Sequence, residues 1–275
     1  MSAMLTSLLG NRLRLRVDRA LRPLRAVWAV YHARDAALRT RVAHYNDFFF
    51  DELGVTRESA FGLYQEVARR AGIRTGDSES IHRLAFAALR VSGFKPRRVL
   101  ELGTHLGTTT TYLAELFPEA MVYTVELPPD DPLYPRLHPE GAARHDAVLA
   151  ERLARSNIIT LRVNTVRLQA QDLPDFDLIW LDAGHNFPEV AWDHFFCLHR
   201  LAPGGCLFTD DVRLPNNPRV RWDPGRADVY TVIEYFNARQ PDQFRLLLKR
   251  ESPEKFILDP KYVGFVKRKA PEASS

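Results

Sequence analysis

The segment from Arg98 to Glu126 constrains the fold of this chain more than any other stretch. It begins with a short apolar run that suits a buried strand. It continues through a loop with two glycines and a helix that starts at four threonines and ends near Pro118. A second apolar run, Met121–Val125, follows and is closed by Glu126. Two such strands with a helix between them predict a parallel βαβ unit, and hence an α/β fold.

The loop in this unit suits a nucleoside ligand. Gly103 and Gly107 allow the backbone to approach a ligand closely, and the helix that follows offers free N–H groups at its start. Glu126 can accept hydrogen bonds from ribose hydroxyls, and it follows Gly103 by close to the roughly 20 residues expected of such units. The glycine spacing is not G-x-G-x-x-G, and no Lys-Ser/Thr pair ends the loop, which disfavours dinucleotide and P-loop sites.

The rest of the chain continues to alternate strands and helices, apart from a proline-rich loop over Leu127–Pro135. We expect further helices over Glu58–Ala71, Asp77–Val91 with Asp77 or Ser78 as its N-cap, Ala142–Ser156, Phe187–Leu201 and Asp228–Arg239. We expect further strands over Ile158–Val163, Phe176–Asp182, Cys206–Thr209 after a turn at residues 203–205, Phe244–Lys249 and Tyr262–Lys267. This order predicts a doubly wound, mostly parallel, seven-stranded Rossmann-like sheet with an antiparallel C-terminal hairpin and an N-terminal helical extension.

Several chemically active side chains fall at the carboxyl ends of predicted strands, where open α/β sheets bind ligands. They are Glu126, Asp182, His185, Asp210 and Asp211. Three carboxylates gathered without a counter-charge would repel one another, so Asp182, Asp210 and Asp211 suggest a Mg²⁺ site. Such an ion could orient a substrate hydroxyl, whose proton His185 could accept as a general base. The alternative is that these acids cap helices and that His185 is a structural hydrogen-bond donor.

The run Val99–Gly107, VLELGTHLG, resembles the first motif of class I S-adenosylmethionine-dependent methyltransferases, in particular the O-methyltransferases with Glu-x-Gly-Thr at this point. The resemblance spans about residues 80 to 268. It implies that Glu101, Gly103, Thr104, Gly107, Glu126 and Asp182 bind S-adenosylmethionine, with Glu126 on the ribose. It also implies that Asn164 or Thr165 meets the adenine.

The later motif, Asp182-x-x-His185 followed by Asp210-Asp211, resembles the metal-dependent sugar O-methyltransferases that tailor macrolide antibiotics. This resemblance implies that Asp182, Asp210 and Asp211 bind Mg²⁺ and that His185 is the base. Together the motifs predict methyl transfer to a hydroxyl of a small-molecule or glycoside acceptor. Arg219, Arg221 and Trp222 are candidates for contacting the acceptor. The alternatives are a metal-independent methyltransferase, a nicotinamide-dependent oxidoreductase, and a non-catalytic binding protein on the same fold.

Charge is unevenly distributed along the chain, which has a net charge of +4. Residues 1–41 hold nine Arg and two Asp, so the remainder is slightly acidic and no nucleic-acid partner is expected. The N-terminal segment, residues 1–42, is called the arm, and it has an apolar stripe that includes Leu24, Trp28 and Tyr31. It is predicted either to lie on an anionic membrane surface or to pack on the body or on a second copy in a homo-oligomer.

Three regions follow from this organisation: an amphipathic arm over 1–42, a helical region over 43–95 and a methyltransferase domain over 96–275. Composition is ordinary for a globular protein, and no apolar run is long enough to span a membrane. The sequence therefore predicts a cytoplasmic location, with membrane association through the arm as the alternative. Cys197 and Cys206 are expected to be buried thiols, Asp193 and His194 surface groups, and Trp192 a core residue.

Overall fold

One seven-stranded sheet organises the protein. The computed structural model describes residues 24–26, 28–75, 80–137, 141–221, 223–240 and 242–270. The strands are β1 (Arg98–Leu102), β2 (Met121–Glu126), β3 (Ile158–Arg162), β4 (Phe176–Leu181), β5 (Leu201–Val212), β6 (Arg245–Leu248) and β7 (Tyr262–Lys267). Their order across the sheet is β3-β2-β1-β4-β5-β7-β6. The first five of these are parallel, and β7 is antiparallel to both β5 and β6, so the predicted doubly wound fold is confirmed.

Helices cover both faces of this sheet. They are α1 (Ala36–Ala43), α2 (Asp47–Leu53), α3 (Arg57–Arg70), α4 (Ile81–Val91), α5 (Thr108–Leu116), α6 (Tyr134–Leu137), α7 (Ala142–Arg152), α8 (Glu189–Arg200), α9 (Asp228–Asn237) and α10 (Pro253–Leu258). Short 3-10 helices occupy Thr165–Ala170 and Pro224–Ala227. Because side chains alternate along a strand, Leu178 and Trp180 of β4 pack towards α4 and α5, whereas Ile179 and Leu181 pack towards α8 and α9.

The structure corrects two details of the predicted elements. β5 begins at Leu201 and continues to Val212, so the predicted turn at residues 203–205 lies within a strand. The register shift between β4 and β5 accommodates it as a bulge. The segment with many prolines contains the one-turn helix α6 with Pro135 as its second residue, a position where the missing proline N–H has no intrahelical partner to lose.

The described part of the N-terminal arm is helical over residues 24–26 and 28–32. Ala29 and Ala33 are buried, whereas Leu24, Trp28 and Tyr31 of the predicted apolar stripe are 56–70% exposed. Residues 1–23, the proposed cap at Asp77 or Ser78, and Trp222 lie outside the described residues. In the part of the chain that the structure describes, no helix is both long enough and apolar enough to cross a membrane. The three-region division stays a prediction.

Candidate active site

A polar cleft of about 420 Å³ opens at the carboxyl ends of β1, β4 and β5. Glu101, Gly103, Thr104, Asp182 and Asp210 of the predicted site line it. The N-cap and first turn of α4 and the segment after β6 also contribute to the lining, through Ser80, His82, Arg83, Lys249 and Arg250. The parallel arrangement of the strands therefore gathers residues that are more than a hundred positions apart in sequence.

The glycine loop after β1 requires glycine for steric reasons. Gly103 has a φ of 98°, and a Cβ atom there would lie 2.3 Å from the backbone oxygen of Asp182. The loop after β1 and the loop after β4 are thus in direct backbone contact, which fixes the floor of the cleft. Gly107 has a φ of 67° and begins α5 beneath Leu149 and Leu153 of the α7 region.

Glu101 is a buried carboxyl group beside this loop. It accepts hydrogen bonds from the hydroxyls of Thr110 and Thr124, the second at 2.7 Å. Burial raises the pKa of Glu101 to about 8 against the effect of these two hydroxyls, and the nearby charges of Asp182 and Glu126 act in the same direction as burial. The loop thus holds a carboxyl group with a raised pKa at the place where the resemblance implies the methionine part of the cofactor.

Glu126 ends β2 as predicted, but it does not line the cleft. Its side chain is 6% exposed, and Oε1 accepts a hydrogen bond of 3.0 Å from the backbone N–H of Leu127. Oε2 lies 4.0 Å from Nε2 of His145, on α7. Arg152 of α7 also donates to the backbone oxygen of Leu106 at 2.8 Å. In this structure α7 therefore covers the acid predicted to bind ribose.

Lysines accompany the two acids near the end of β5. Lys249 Nζ donates to Oδ2 of Asp210 and, at 2.6 Å, to Oδ1 of Asp211. Lys261 Nζ donates to Oδ2 of Asp211 at 2.6 Å, and Arg213 lies 3.8 Å from the same oxygen. Burial alone would raise the pKa of Asp211, but Lys249 and Lys261 hold it below its usual value. Burial raises the pKa of Asp210, to which the charge of Asp182 adds while Lys249 opposes it.

This charge pattern does not fit a divalent metal ion. The inference of a Mg²⁺ site depended on three carboxylates without counter-charges, and that premise is wrong because two lysine ammonium groups already neutralise Asp210 and Asp211. Within the described ranges, no three His, Cys, Asp or Glu side chains are grouped so as to hold a metal ion. Asp210 Oδ1 is buried and has no hydrogen-bond partner among the described residues. One such oxygen suits a hydroxyl donor, whereas Mg²⁺ requires an octahedral set of oxygen ligands.

His185 and Asp182 form the predicted pair. Nε2 of His185 lies 3.5 Å from Oδ1 of Asp182, and both side chains are about one-third exposed. Burial alone would lower the pKa of His185, but Asp182, followed by the charges of Asp211 and Asp210, raises it above its ordinary value. His185 is not among the residues that line the cleft, and Asp182, which does line it, contacts His185.

Some site residues were not identified from the sequence. Lys249 and Arg250 follow β6, and His82 stacks on Trp180 with ring centroids 4.6 Å apart. Burial holds the pKa of His82 well below its ordinary value, so its imidazole is neutral. Lys249 ends a predicted strand, Phe244–Lys249, which marks it as a candidate. Placing it in the site required the order of the strands in the sheet.

Three residues of α8 also differ from expectation. Asp193 and His194 are buried rather than at the surface, and Trp192 is 40% exposed rather than in the core. Both cysteines are buried thiols, as predicted.

Residues 100–212 match the model of a protein family described as a methyltransferase domain. The prediction of a methyltransferase is confirmed by this match, and the sheet has the form predicted for class I enzymes that use S-adenosylmethionine. Comparison with curated proteins gives no match.

Solved structures with similar folds include three methyltransferases. The O-methyltransferase from Bacillus cereus in complex with SAH has 16% identity, with 75% of this chain and 91% of that chain covered and a TM-score of 0.47. SAH-bound PaMTH1 of Podospora anserina has 16% identity, coverage of 77% and 88%, and a TM-score of 0.48. TomG of Streptomyces achromogenes, an O-methyltransferase involved in tomaymycin synthesis and in complex with SAM, has 18% identity, coverage of 88% and 96%, and a TM-score of 0.45. At these identities and TM-scores, none of them identifies an acceptor or a metal for this chain.

Proposed function

We propose that this protein transfers the methyl group of S-adenosylmethionine to a hydroxyl group of a small-molecule or glycoside acceptor. The observation that supports this proposal most strongly is the cleft itself. It joins the glycine loop after β1 to Asp182, Asp210 and Lys249, within a chain whose residues 100–212 match a methyltransferase domain. S-adenosylmethionine supplies an electrophilic methyl group on a sulfonium centre, so the protein has to orient an oxygen nucleophile and remove its proton.

The residues of the glycine loop would hold the methionine part of the cofactor. The close approach at Gly103 leaves backbone rather than side chain facing the cleft, and the hydroxyl of Thr104 is held at 2.6 Å from that of Thr124. A cationic ligand beside Glu101 would favour its ionised form, because an opposite charge lowers the pKa of a carboxyl group. Glu126 keeps the ribose-binding role as a proposal, and that role requires α7 to uncover its carboxylate.

Asp210 would receive the acceptor hydroxyl. Its Oδ1 has no hydrogen-bond partner among the described residues, and Asp210 lines the cleft. Lys249 holds the other oxygen, so the carboxylate keeps one orientation. In this proposal Lys249 provides the fixed positive charge that the hypothesis of a metal site assigns to Mg²⁺.

His185 would accept the hydroxyl proton. Because Nε2 faces Asp182, Nδ1 is the nitrogen that can accept a proton, and the carboxylate stabilises the imidazolium that results. Asp182 lines the cleft and contacts His185, so this proposal places the base beside the part of the cleft where the acceptor would be received. General-base assistance of this kind contributes about 10²- to 10⁴-fold to a rate.

Methyl transfer from labelled S-adenosylmethionine to sugar, glycoside and sugar-phosphate hydroxyls tests this proposal. We expect His185→Gln to reduce kcat on the best acceptor by about 10²- to 10⁴-fold. The affinity for S-adenosylhomocysteine should be unchanged, since His185 does not line the cleft. His199→Gln is the matched control, because this imidazole is exposed on α8 and does not line the cleft. Equal kcat values for wild type and His185→Gln would reject His185 as the base.

Metal removal distinguishes a metal-free methyltransferase from a metal-dependent one. With Lys249 and Lys261 neutralising the acids, treatment with EDTA should leave the rate of methyl transfer unchanged. Loss of activity with EDTA and its recovery on adding Mg²⁺ would instead support the metal-dependent enzyme suggested by the Asp182, His185, Asp210 and Asp211 pattern.

A further inference from the structure

His82, in the first turn of α4, carries a buried polar atom that the proposed function does not use. The side chain lines the cleft, and the residue is 7% exposed. Its Nδ1 lies 2.7 Å from the hydroxyl oxygen of Ser80, at hydrogen-bond distance. The other ring nitrogen, Nε2, is buried and has no hydrogen-bond partner within the described ranges. Because a buried polar atom without a partner is costly, this nitrogen marks a place where a ligand group would be stabilised.

The packing of α4 on the sheet brings His82 to the same region as Asp210. His82 stacks on Trp180 of β4 with ring centroids 4.6 Å apart. Phe86, one helical turn further on, packs edge-on against Phe208 of β5 at 5.1 Å. Asp210 follows Phe208 by two residues in β5, and side chains at this spacing in a strand lie on one face. The start of α4 therefore lies over the carboxyl ends of β4 and β5, on the face where Asp210 lies.

Lys249 connects the two side chains. Its Nζ donates to Oδ2 of Asp210, and its backbone oxygen accepts a hydrogen bond of 2.8 Å from the N–H of Ile81, next to His82. Burial, together with the charges of Arg83 and Lys249, lowers the pKa of His82. The imidazole is therefore a neutral group beside a fixed cation. Oδ1 of Asp210, like Nε2 of His82, is buried and has no hydrogen-bond partner among the residues that the structure describes.

These two atoms have complementary roles in hydrogen bonding. The hydroxyl of Ser80 has no other acceptor in the described part of the chain, so the proton of the neutral imidazole of His82 is assigned to Nε2. Nε2 is then a donor, whereas the carboxylate of Asp210 accepts. A single hydroxyl group can donate one hydrogen bond and accept another. An ammonium group could only donate and a carbonyl group could only accept, so either would leave one of the two atoms unpaired.

We propose that Nε2 of His82 and Oδ1 of Asp210 both bind the acceptor hydroxyl and select it over an amine or a carbonyl group. The hydroxyl donates to Asp210 and accepts from His82, which orients its oxygen before its proton is removed. The second lone pair of that oxygen remains available to the methyl group. This inference rests on the proposed function, since it adds a second contact to the hydroxyl that Asp210 receives there.

Nitrogen NMR of the full chain with isotope-labelled histidine tests the inference without an enzymatic assay. The signals of His82 are those that His82→Phe lacks, and we expect a neutral ring with its proton on Nε2. Phenol is the probe, because it carries a single hydroxyl, and toluene is its control of the same shape. Phenol should shift the Nε2 signal of His82, whereas toluene should not. A proton on Nδ1, no shift with phenol, or equal shifts with both compounds would overturn the inference.

Two variants separate the hydrogen bond of His82 from its packing. His82→Phe keeps an aromatic ring on Trp180 but removes Nε2, whereas His82→Gln keeps an N–H donor. On the best acceptor we expect His82→Phe to raise KM by about tenfold, which corresponds to one hydrogen bond, and His82→Gln to recover part of that loss. His199→Phe is the matched control, because this imidazole is exposed on α8, and it should keep the wild-type KM. An unchanged KM in His82→Phe would overturn the inference.

Titration with S-adenosylhomocysteine keeps the two proposals separate. We expect wild type and His82→Phe to bind it with equal affinity, because the glycine loop is proposed to hold the cofactor. A weakening in His82→Phe as large as the change in KM would assign His82 to the cofactor and overturn the inference. If wild type does not bind S-adenosylhomocysteine but phenol still shifts the His82 signal, the methyltransferase mechanism is rejected and the hydroxyl site remains.

Discussion

Lys249 is the residue on which the electrostatics of the cleft depend most. Its side chain is 12% exposed and contacts two carboxylates, of which that of Asp210 is 5% exposed. A buried carboxylate without a counter-charge is expensive, so the pair has to be treated as one unit. The same ammonium group supplies a counter-charge to both acids near the end of β5.

Removing Lys249 should therefore destabilise the protein strongly. We predict that Lys249→Met lowers the free energy of unfolding by about 3 to 5 kcal/mol, because it leaves Asp210 buried and uncompensated. The double variant Lys249→Met/Asp210→Asn should lose clearly less than the sum of the two single variants, as measured by urea unfolding.

Lys261→Met is the matched control for this cycle. The ammonium group of Lys261 is hydrogen-bonded to Asp211, and its side chain is 29% exposed, so water can replace more of its charge and the loss should be smaller. Additive effects of Lys249→Met and Asp210→Asn would show that the two groups do not interact.

Sequence reasoning reached part of this site and missed part for a physical reason. Gly103, Asp182 and Asp210 could be placed together because each was predicted to lie at the carboxyl end of a strand of the parallel sheet, and Glu101 was added by the resemblance of the loop motif. Lys249 could not, because β6 joins that edge only through β7, which is antiparallel to both β5 and β6. The strand was predicted, but the order that brings its end beside β5 is a tertiary property.

At the scale of elements, the N-terminal helices are attached to the sheet through its edge strand. Asn46, just before α2, is fully buried. Its Oδ1 accepts a hydrogen bond of 2.7 Å from the backbone N–H of Leu248 in β6, and its Nδ2 donates to the backbone oxygen of Leu248 at 3.0 Å. The side chain thus pairs with β6 as a neighbouring strand would, and it protects that edge.

Replacing Asn46 by leucine tests how much its two hydrogen bonds to Leu248 stabilise the edge of the sheet. The change leaves a buried N–H and a buried C=O without these bonds, and we predict a loss of about 2 to 4 kcal/mol in the free energy of unfolding. Asn237→Leu is the control, because Asn237 makes the same kind of backbone contact with Phe244 at a half-buried position. If urea unfolding gives equal losses for the two variants, burial of the Asn46 bonds does not stabilise the edge.

Helix α8 makes stability depend on pH. Burial lowers the pKa of His194 to about 4, while the unfolded chain has the ordinary value of about 6.5. Below about pH 6.5 the unfolded chain therefore binds a proton that the folded protein does not. The stabilisation from neutral His194 is complete above that pH and is lost as the pH falls towards 4, by about 3 kcal/mol in total.

His194→Gln should remove most of this effect. We predict that the difference in unfolding free energy between about pH 7 and about pH 5 is smaller in the variant by about 2 kcal/mol. The neighbouring Asp193, whose pKa burial raises to about 6, has the opposite dependence but is present in both proteins. If the unfolding free energies of wild type and His194→Gln, measured with urea, change with pH by the same amount, His194 is not the group responsible for the pH dependence.

The same helix contains two buried residues, Asp193 and His194, whose burial was not predicted from the sequence. Val190, Asp193, His194 and Cys197 share one buried face at helical spacing, and the two apolar members of that set were visible in the sequence. Residue type led to the expectation that Asp193 and His194 were solvated. Periodicity would have placed them inside, and the bond of 2.7 Å from His194 Nδ1 to the backbone oxygen of Val190 satisfies one of the two imidazole nitrogens there.

At the scale of the whole molecule, the candidate site residues form two groups along the carboxyl edge of one sheet. The glycine loop and Glu126 lie on the β1 and β2 side, and the acids with their lysines lie on the β5, β7 and β6 side. A cofactor on one side and an acceptor on the other would meet at Asp182 and Asp210.

The central claim is that this cleft binds the methyltransferase cofactor without a divalent metal ion. Calorimetric titration of S-adenosylhomocysteine into protein stripped with EDTA, repeated with excess Mg²⁺, tests it most directly. We predict binding of equal affinity in both titrations, because Lys249 and Lys261 already balance the acids. Binding only in the presence of Mg²⁺ would contradict the metal-free account. An absence of binding in both titrations would contradict the assignment of the cleft as a cofactor site.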